Sequence, residues 1–422
     1  MSVLVVHRNP FEPFPYGSWL ADYPGEVIVL AARDRILAAG EAIPADHPGV
    51  TRLELLPDFS DEEELFRIAL ALAEKFEVSA VVAHHEGDVL VAARVREHLG
   101  LAGAWPADVL PYRDKALMKR MLVAAGIEVA EHAVVRAPEE VWEFADEHGY
   151  PVVVKDVAGY NAIGLRILPE RADLVPFPEP VLVEAFVPGR MCHVDGLVVG
   201  GRIVLAWASQ YQYELSSFGT DPGARIDLTL DVDDPLSARL LALAERTIAA
   251  LRLTNGRLTE HAFHAEVFHT PDDRLVVCEI GSRPGGAKIR EVAAAIFGVN
   301  LGEYVTRAQV GLDLPLLADT LAGGPPPRPA RMSGQVLMMK RPGAVRSVPE
   351  PPTEPWVSRF WRYAEPGGVI PPAAGSADFL LAAVATGADR AEAESRLRAL
   401  GARFEAETVI EAVGEFGEGA RS

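Results

Sequence analysis

At 422 residues, with 49% hydrophobic and 24% charged side chains, the chain is too long for one ordinary core and too apolar for disorder. A formal net charge of −20 argues against a nucleic-acid surface or an anionic membrane as partner, so an anionic ligand needs a local positive site. The opening MSVLVVHRNPFEPFPYG lacks the pattern of a secretory leader, and no run approaches the ~20 apolar residues of a membrane span, which makes the cytoplasm the expected location.

Residues 1–110 alternate short apolar runs with helical patterns. Ser2–His7 and Glu26–Ala31 read as buried strands, Ser60–Phe76 as an amphipathic helix, Ser79–His84 as a third strand and Val89–Leu99 as a helix. This order predicts an N-terminal parallel α/β domain without a GxGxxG dinucleotide fingerprint. His84, His85 and Glu86 leave the third strand at its carboxyl edge, where such sheets place ligands, although a polar strand exit accounts for them equally well. Next come a helix from Lys115 to about Ala125, a strand over Glu128–Val135, a helix over Pro138–His148 and a strand over Tyr150–Lys155 that delivers a lysine at its end. Gly159–Gly164 is a flexible turn whose backbone amides could fold over phosphates.

Val181–Phe186, His193–Val199 and Arg202–Ser209 read as strands, the last two joined by Gly200-Gly201 as a hairpin. Residues 210–227 suit a loop near a ligand, Asp234–Leu251 a long helix, and Ile289–Gly311 a helical run. A proline-rich linker at 323–329 precedes a β-rich stretch over 330–375. A strand at Asp378–Thr386, a helix at Arg390–Leu400 and a strand at Ala406–Ile410 close the chain. Cys192 and Cys278, far apart in strand-like runs, are expected as buried thiols outside any electropositive pocket.

The most informative stretch is HAFHAEVFHTPDDRLVVCEIGSRPGG, from His261 to Gly286. Two apolar-rich runs flank Thr270-Pro271-Asp272-Asp273, so it reads as a β-hairpin. A turn centred on Asp272 and Asp273 sets Glu266 opposite Glu279. Alternation then places His264, Glu266 and Phe268 with Val277, Glu279, Gly281 and Arg283 on one face, and Ala265, Val267, Cys278 and Ile280 on the other. Opposed carboxylates destabilise a ladder unless a positive charge lies between them. Mg²⁺ accepts one or two protein carboxylates and completes its shell with phosphate oxygens and water, with Mn²⁺ as an alternative. Arg283 could reach an anionic group on that metal. The competing reading is a solvated hairpin face with scattered charges.

Five phrases in order resemble the ATP-grasp superfamily, and within it the carboxylate–amine ligases that include L-amino-acid (dipeptide) ligases. They are RDKALMKRMLVAAGI at 113–127, VVVK at 152–155, VEAFVPG at 183–189 with HVDG at 193–196, HAEVF at 264–268 and CEIGSRPGG at 278–286. The resemblance covers most of the chain and implies an α/β (α+β) ATP-grasp fold. Its parts would be an N-terminal domain at 1–110, a small lobe with lid and phosphate loop at 111–183, a large lobe at 184–322 and a C-terminal β-rich cap at 330–422.

The resemblance also implies roles. Lys115 and Lys155 would hold the nucleotide phosphates under the Gly159 and Gly164 turn. Glu184 would lie near the adenine amino group, with Ala185, Phe186 and Val187 offering backbone contacts to the base. Glu266 and Glu279 would bind Mg²⁺, and Arg283, with Lys155 and Glu279, would serve the chemical step. The implied reaction joins a small-molecule carboxylic acid to an amine or amino acid at the expense of ATP, through an acyl phosphate. Arg225, Lys288 and Arg290 are candidates for a substrate carboxylate, and a homodimer is an assembly the superfamily uses. Three departures stand out. Arg190 and Met191 occupy the ground of a ribose-binding carboxylate, and Gly281 replaces an asparagine metal ligand, with His264 opposite as a compensating group. Tyr160 and Asn161 are larger than usual in the phosphate loop. Carboxyphosphate-forming enzymes of the same superfamily, and a nucleotide-binding protein with degenerate catalysis, are the alternative readings.

Overall fold

The computed structural model describes residues 2–43, 48–172, 174–214, 217, 221, 223–373, 375–376 and 378–412. Strands β1 (Ser2–His7), β2 (Glu26–Ala32), β3 (Arg52–Leu56) and β4 (Val78–Ala83) form a parallel sheet in the order β3-β2-β1-β4. β1 is buried along its length because each face meets its own core. Leu4 and Val6 join Ile28, Leu30 and the helices Glu62–Lys75 and Val89–His98; Val3 and Val5 join Phe14, Tyr16 and Trp19. The expected third strand is therefore the fourth. RLELL carries no marked apolar run because its charged residues suit an edge strand, where only one neighbour demands apolar packing.

Strands β5 (His132–Val135), β6 (Val152–Asp156), β7 (Arg166–Leu168) and β8 (Val181–Ala185) make an antiparallel sheet in the order β5-β8-β6-β7. The helix Pro138–His148 covers it through Val141, Trp142, Phe144 and Ala145. The strand expected from Glu128 begins only at His132; Val129 instead makes an isolated bridge to Val277.

Next come β9 (Arg190–Val199), β10 (Arg202–Tyr211), β11 (Arg225–Thr229), β12 (His261–His269) and β13 (Leu275–Gly281). The remaining strands are β14 (Met332–Met339), β15 (Gly343–Ser347), β16 (Val357–Arg362), β17 (Val369–Ile370), β18 (Phe379–Gly387) and β19 (Val409–Glu411). Gly200 and Gly201, at φ 58° and 71°, make the left-handed turn that matches the twist of β9 and β10. Eight strands form one sheet in the order β13-β12-β9-β10-β11-β14-β18-β16, so the chain returns after its proline-rich linker to extend the same sheet. β15, β17 and β19 form a separate small sheet.

The helix Pro235–Leu251 packs against β10 and β9, while Arg390–Glu407 covers β11, β14 and β18. That last helix runs seven residues past its expected end, and β19 accordingly starts at Val409. The expected helical run 289–311 is two helices, Ile289–Phe297 and Leu301–Gln309. Gly298 ends the first in the left-handed region, and Asn300 caps the second by accepting from the amides of Gly302 and Glu303. The expected 210–227 loop is shortened by β10 and β11, and much of what is left lies outside the described residues. Among the described residues no helix is long and apolar enough to cross a membrane.

Candidate active site

The hairpin β12–β13 pairs Glu266 with Glu279. The turn is not centred as the sequence suggests, because His269 pairs with Leu275 and Phe268 with Val276. A β-bulge then leaves Cys278 of β13 unpaired opposite the Glu266–Val267 step, restoring the predicted carboxylate pair. The bulge also corrects the faces. Val277 turns into the core beside Val267 and Ile280, and Cys278 turns toward the cleft. Cys278 thus lies beside Lys155, contrary to the expectation for a cysteine outside any positive pocket. Burial nevertheless pushes its thiol up to about 12 against the pull of Lys155, and both cysteines are free.

Lysines converge on this hairpin from two directions. Lys115 opens the helix Lys115–Ala124; its Nζ lies 3.2 Å from Glu279 Oε2 and donates to the Gly159 carbonyl at 2.5 Å. Lys155 reaches from β6 to Glu184 on β8, diagonally across the pair, with Nζ 2.7 Å from Oε2. Lys119, not among the residues expected in the site, lies 2.8 Å from Glu184 Oε1 and donates to the Cys278 carbonyl at 3.1 Å. Its i, i+4 spacing from Lys115 was the available signal, since that spacing puts both on one helix face. Burial works to raise the Glu279 pKa, but Lys115 and Lys155 outweigh it and bring the group down to about 2. Glu184 is likewise depressed, because Lys155 and Lys119 overcome its burial.

Arg283 donates from Nε to Glu86 Oε2 at 2.5 Å and from Nη1 to the Pro284 carbonyl at 2.9 Å. Arg113 holds the other Glu86 oxygen at 2.8 Å and the Ala158 carbonyl at 2.9 Å. Of the strand-exit residues, Glu86 therefore enters the site. His85 meets the Tyr160 ring edge-on at 5.3 Å, and His84 bonds Thr306 at 2.7 Å.

His264 faces Gly281 across the ladder, as expected, and begins a buried polar chain. Its Nε2 lies 3.4 Å from Glu266 and its Nδ1 2.9 Å from Asp195. Asp195 bonds His193 at 2.5 Å, His193 bonds Asp227 at 2.9 Å, and Gln335 donates to Asp227 at 2.9 Å. A Cβ at Gly285 would fall 2.5 Å from Asp195, so only glycine lets this loop lie on the carboxylate.

Burial works to lower the His264 pKa, yet Asp195 and Glu266 hold it at about 9, above the ordinary 6.5. The protonated state favours folding, so this stability is complete below pH 6.5 and is lost as pH rises through 9. We expect wild type to lose about 3 kcal/mol relative to His264→Gln between the two limits, measured by urea unfolding. A difference constant across that range would contradict the pairing.

These groups line one cleft of ≈ 530 Å³ between the β5–β8 sheet and the large sheet. Lys115, Lys119, Lys155, Glu184, His264, Glu266, Glu279 and Arg283 all face it, as do Gly159–Leu165 in part, Ala185–Val187, Arg190 and Met191. Tyr211–Glu214 and Ser376 also line it. Arg225, Lys288 and Arg290 are not among the lining residues. Arg225 is buried against Tyr213, Lys288 lies 2.7 Å from the Tyr363 hydroxyl and 4.0 Å from the Trp361 ring, and Arg290 stacks on Phe14 at 4.0 Å.

Residues 114–200 match the family model described as the carbamoyl-phosphate synthase L chain, ATP binding domain. The L-arginine-specific L-amino acid ligase of Bacillus subtilis is 24% identical over 293 residues, covering 66% of this chain and 68% of that one. A D-alanine–D-alanine ligase of Mycolicibacterium gilvum is 28% identical over 193 residues, which span 41% of this chain and 51%, about half, of the relative. The crystal structure of an L-amino acid ligase from Bacillus licheniformis superposes with a TM-score of 0.74 at 16% identity, covering 97% of this chain and 99% of that one. The chain has the ATP-grasp fold, and residues 114–200 are similar to an ATP binding domain. The two relatives are both named as ligases of amino acids.

Proposed function

We propose that the chain joins a carboxylic acid to an amine, with an amino acid as one substrate, through an acyl-phosphate intermediate. The observation that carries this reading is the meeting of opposed Glu266 and Glu279 with Lys115, Lys155 and Arg283 in a single cleft. The donor set fits a hard divalent cation: two carboxylates face each other, and Glu279 is held ionised by its surroundings. Mg²⁺ or Mn²⁺ on Glu266 and Glu279 would neutralise phosphate oxygens of ATP.

Lys115 and Lys155 offset charge on the phosphates, and the Gly159–Gly164 loop covers them. The Ala185 and Phe186 amides already donate to the carbonyls of Glu131 and Pro151, which leaves the hinge carbonyls and the Val187 amide for the base. Glu184 acts on the phosphate side, as the counter-charge of Lys155 and Lys119, and not primarily on the adenine. The substrate carboxylate oxygen attacks the γ-phosphorus as the bond to ADP breaks. The amine nitrogen then attacks the acyl carbon, loses a proton, and phosphate leaves. Positioning and charge neutralisation by fixed cations supply most of the acceleration in such a transfer. Residues 111–183 serve as the lid that keeps water from the acyl phosphate.

The test is a phosphate-release screen crossing amino acids and small acids with amines in the presence of ATP and Mg²⁺. ADP and phosphate are expected only when both an acid and an amine are present. Release that depends on bicarbonate instead would favour carboxyphosphate chemistry, and tight ATP binding without turnover would favour degenerate catalysis.

A further inference from the structure

Two residues beyond Glu279, Gly281 leaves a space that a side chain from a distant part of the chain occupies. A Cβ at Gly281 would lie 3.1 Å from Glu86 Oε2 and 3.8 Å from the Cγ and Nε of Arg283. Glu86 stands just past the carboxyl end of β4 and is 8% exposed. Its two oxygens are divided between Arg113 and Arg283. We propose that Glu86 is the positioning residue for Arg283, and that position 281 is glycine in order to admit it.

The geometry gives this a definite form. Arg283 spends Nε on Glu86 and Nη1 on the Pro284 carbonyl, so its guanidinium plane is fixed at two points and Nη2 keeps donors to spare. A planar cation that meets a transferring phosphoryl group needs this preorganisation, because a displacement of about 1 Å costs on the order of 10² in rate. Through Arg113 and the Ala158 carbonyl, the same carboxylate also ties the start of the phosphate loop to the N-terminal sheet. An asparagine at 281 would compete with Glu86 for its place, so the missing ligand and the strand-exit acid are one adaptation. The catalytic consequence rests on the ligase reading; the placement of Arg283 does not.

The experiment compares Glu86→Gln, Glu86→Asp, Gly281→Asn, Arg283→Ala and the Glu86→Gln/Arg283→Ala pair. Turnover by Glu86→Gln should fall about 10²-fold, with the KM for ATP changed by no more than about threefold. Glu86→Asp should recover part of the loss, Gly281→Asn should resemble Glu86→Gln, and the double variant should be no worse than Arg283→Ala alone. Independently of turnover, the Arg283 Nε–H resonance of the ligand-free protein, assigned by its absence in Arg283→Ala, should be protected from exchange in wild type. That protection should disappear in Glu86→Gln and Gly281→Asn. Wild-type turnover by Glu86→Gln, losses that multiply in the double variant, or an unprotected Nε–H in wild type would each overturn the proposal. A wild type that turns over no acid–amine pair would instead sink the ligase reading, with the resonance still deciding the placement of Arg283.

Discussion

Glu279→Gln is expected to lower turnover by about 10²–10³ while leaving the fold intact. The substitution keeps the shape of the side chain and removes its charge. Glu279 is the group on which the cleft's electrostatics converge, since Lys115 lies 3.2 Å away and Lys155 and Arg283 also act on it. Its side chain is about one-third exposed to the cleft, so water and the remaining carboxylates screen what Lys115 loses. The stability change should accordingly stay within about 1 kcal/mol. Initial rates and a thermal melt on the same preparation check both halves. Full activity would remove Glu279 from the metal assignment, and a collapsed melt would recast it as a structural acid.

The opposite pattern is expected of Glu184. Its carboxylate lies between Lys119 and Lys155, and the side-chain exposures of the three are 7%, 1% and 8%. Counted as ions, the trio carries one excess positive charge, which a phosphate can neutralise. Glu184→Gln removes the carboxylate that both ammonium groups share and leaves two buried cations facing an amide. Breaking a buried pair in this way costs about 3–5 kcal/mol, far more than an exposed one. Urea unfolding should report that loss, and saturating ATP with Mg²⁺ should raise the melting temperature more in the variant than in wild type. Lys155→Met leaves Glu184 paired with Lys119 and the charge balanced, so it should weaken nucleotide binding with little loss of stability. An unchanged unfolding midpoint for Glu184→Gln would show that the trio does not hold together as described.

Local pattern was enough for the hairpin, because a period of two fixes which residues share a face once the register is known. The register itself was reached through two deviations that cancel. The pairing next to the turn is shifted by one residue from the sequence-derived register, and the bulge at Cys278 restores the Glu266–Glu279 pair. Only the residues between turn and bulge betray this, with Val277 in the core and Cys278 at the cleft. A strand end points to Lys155 and the motif resemblance to Lys115, whereas Lys119 is placed by the helix face it shares with Lys115. The partners from afar were not legible: Glu86 and Arg283 are 197 positions apart, and the His193–Asp195 pair of β9 meets Asp227 of β11 and His264 of β12. The return of β14, β18 and β16 to the large sheet was equally hidden, since a proline-rich linker marks a break in the chain and says nothing about a break in hydrogen bonding. Arg225, Lys288 and Arg290 carried the right charge for a substrate site, but aromatic neighbours hold them outside the cleft lining.

The central claim is that the facing acids of the hairpin take a divalent cation in company with the triphosphate. Crystals grown with a non-hydrolysable ATP analogue and Mn²⁺, measured at the manganese edge, test it most directly. An anomalous peak between Glu266 and Glu279, within about 2.0–2.3 Å of an oxygen from each and touching the phosphates, is the predicted result. A bound nucleotide with no peak there, and with Glu279 still closed onto Lys115, would contradict the account.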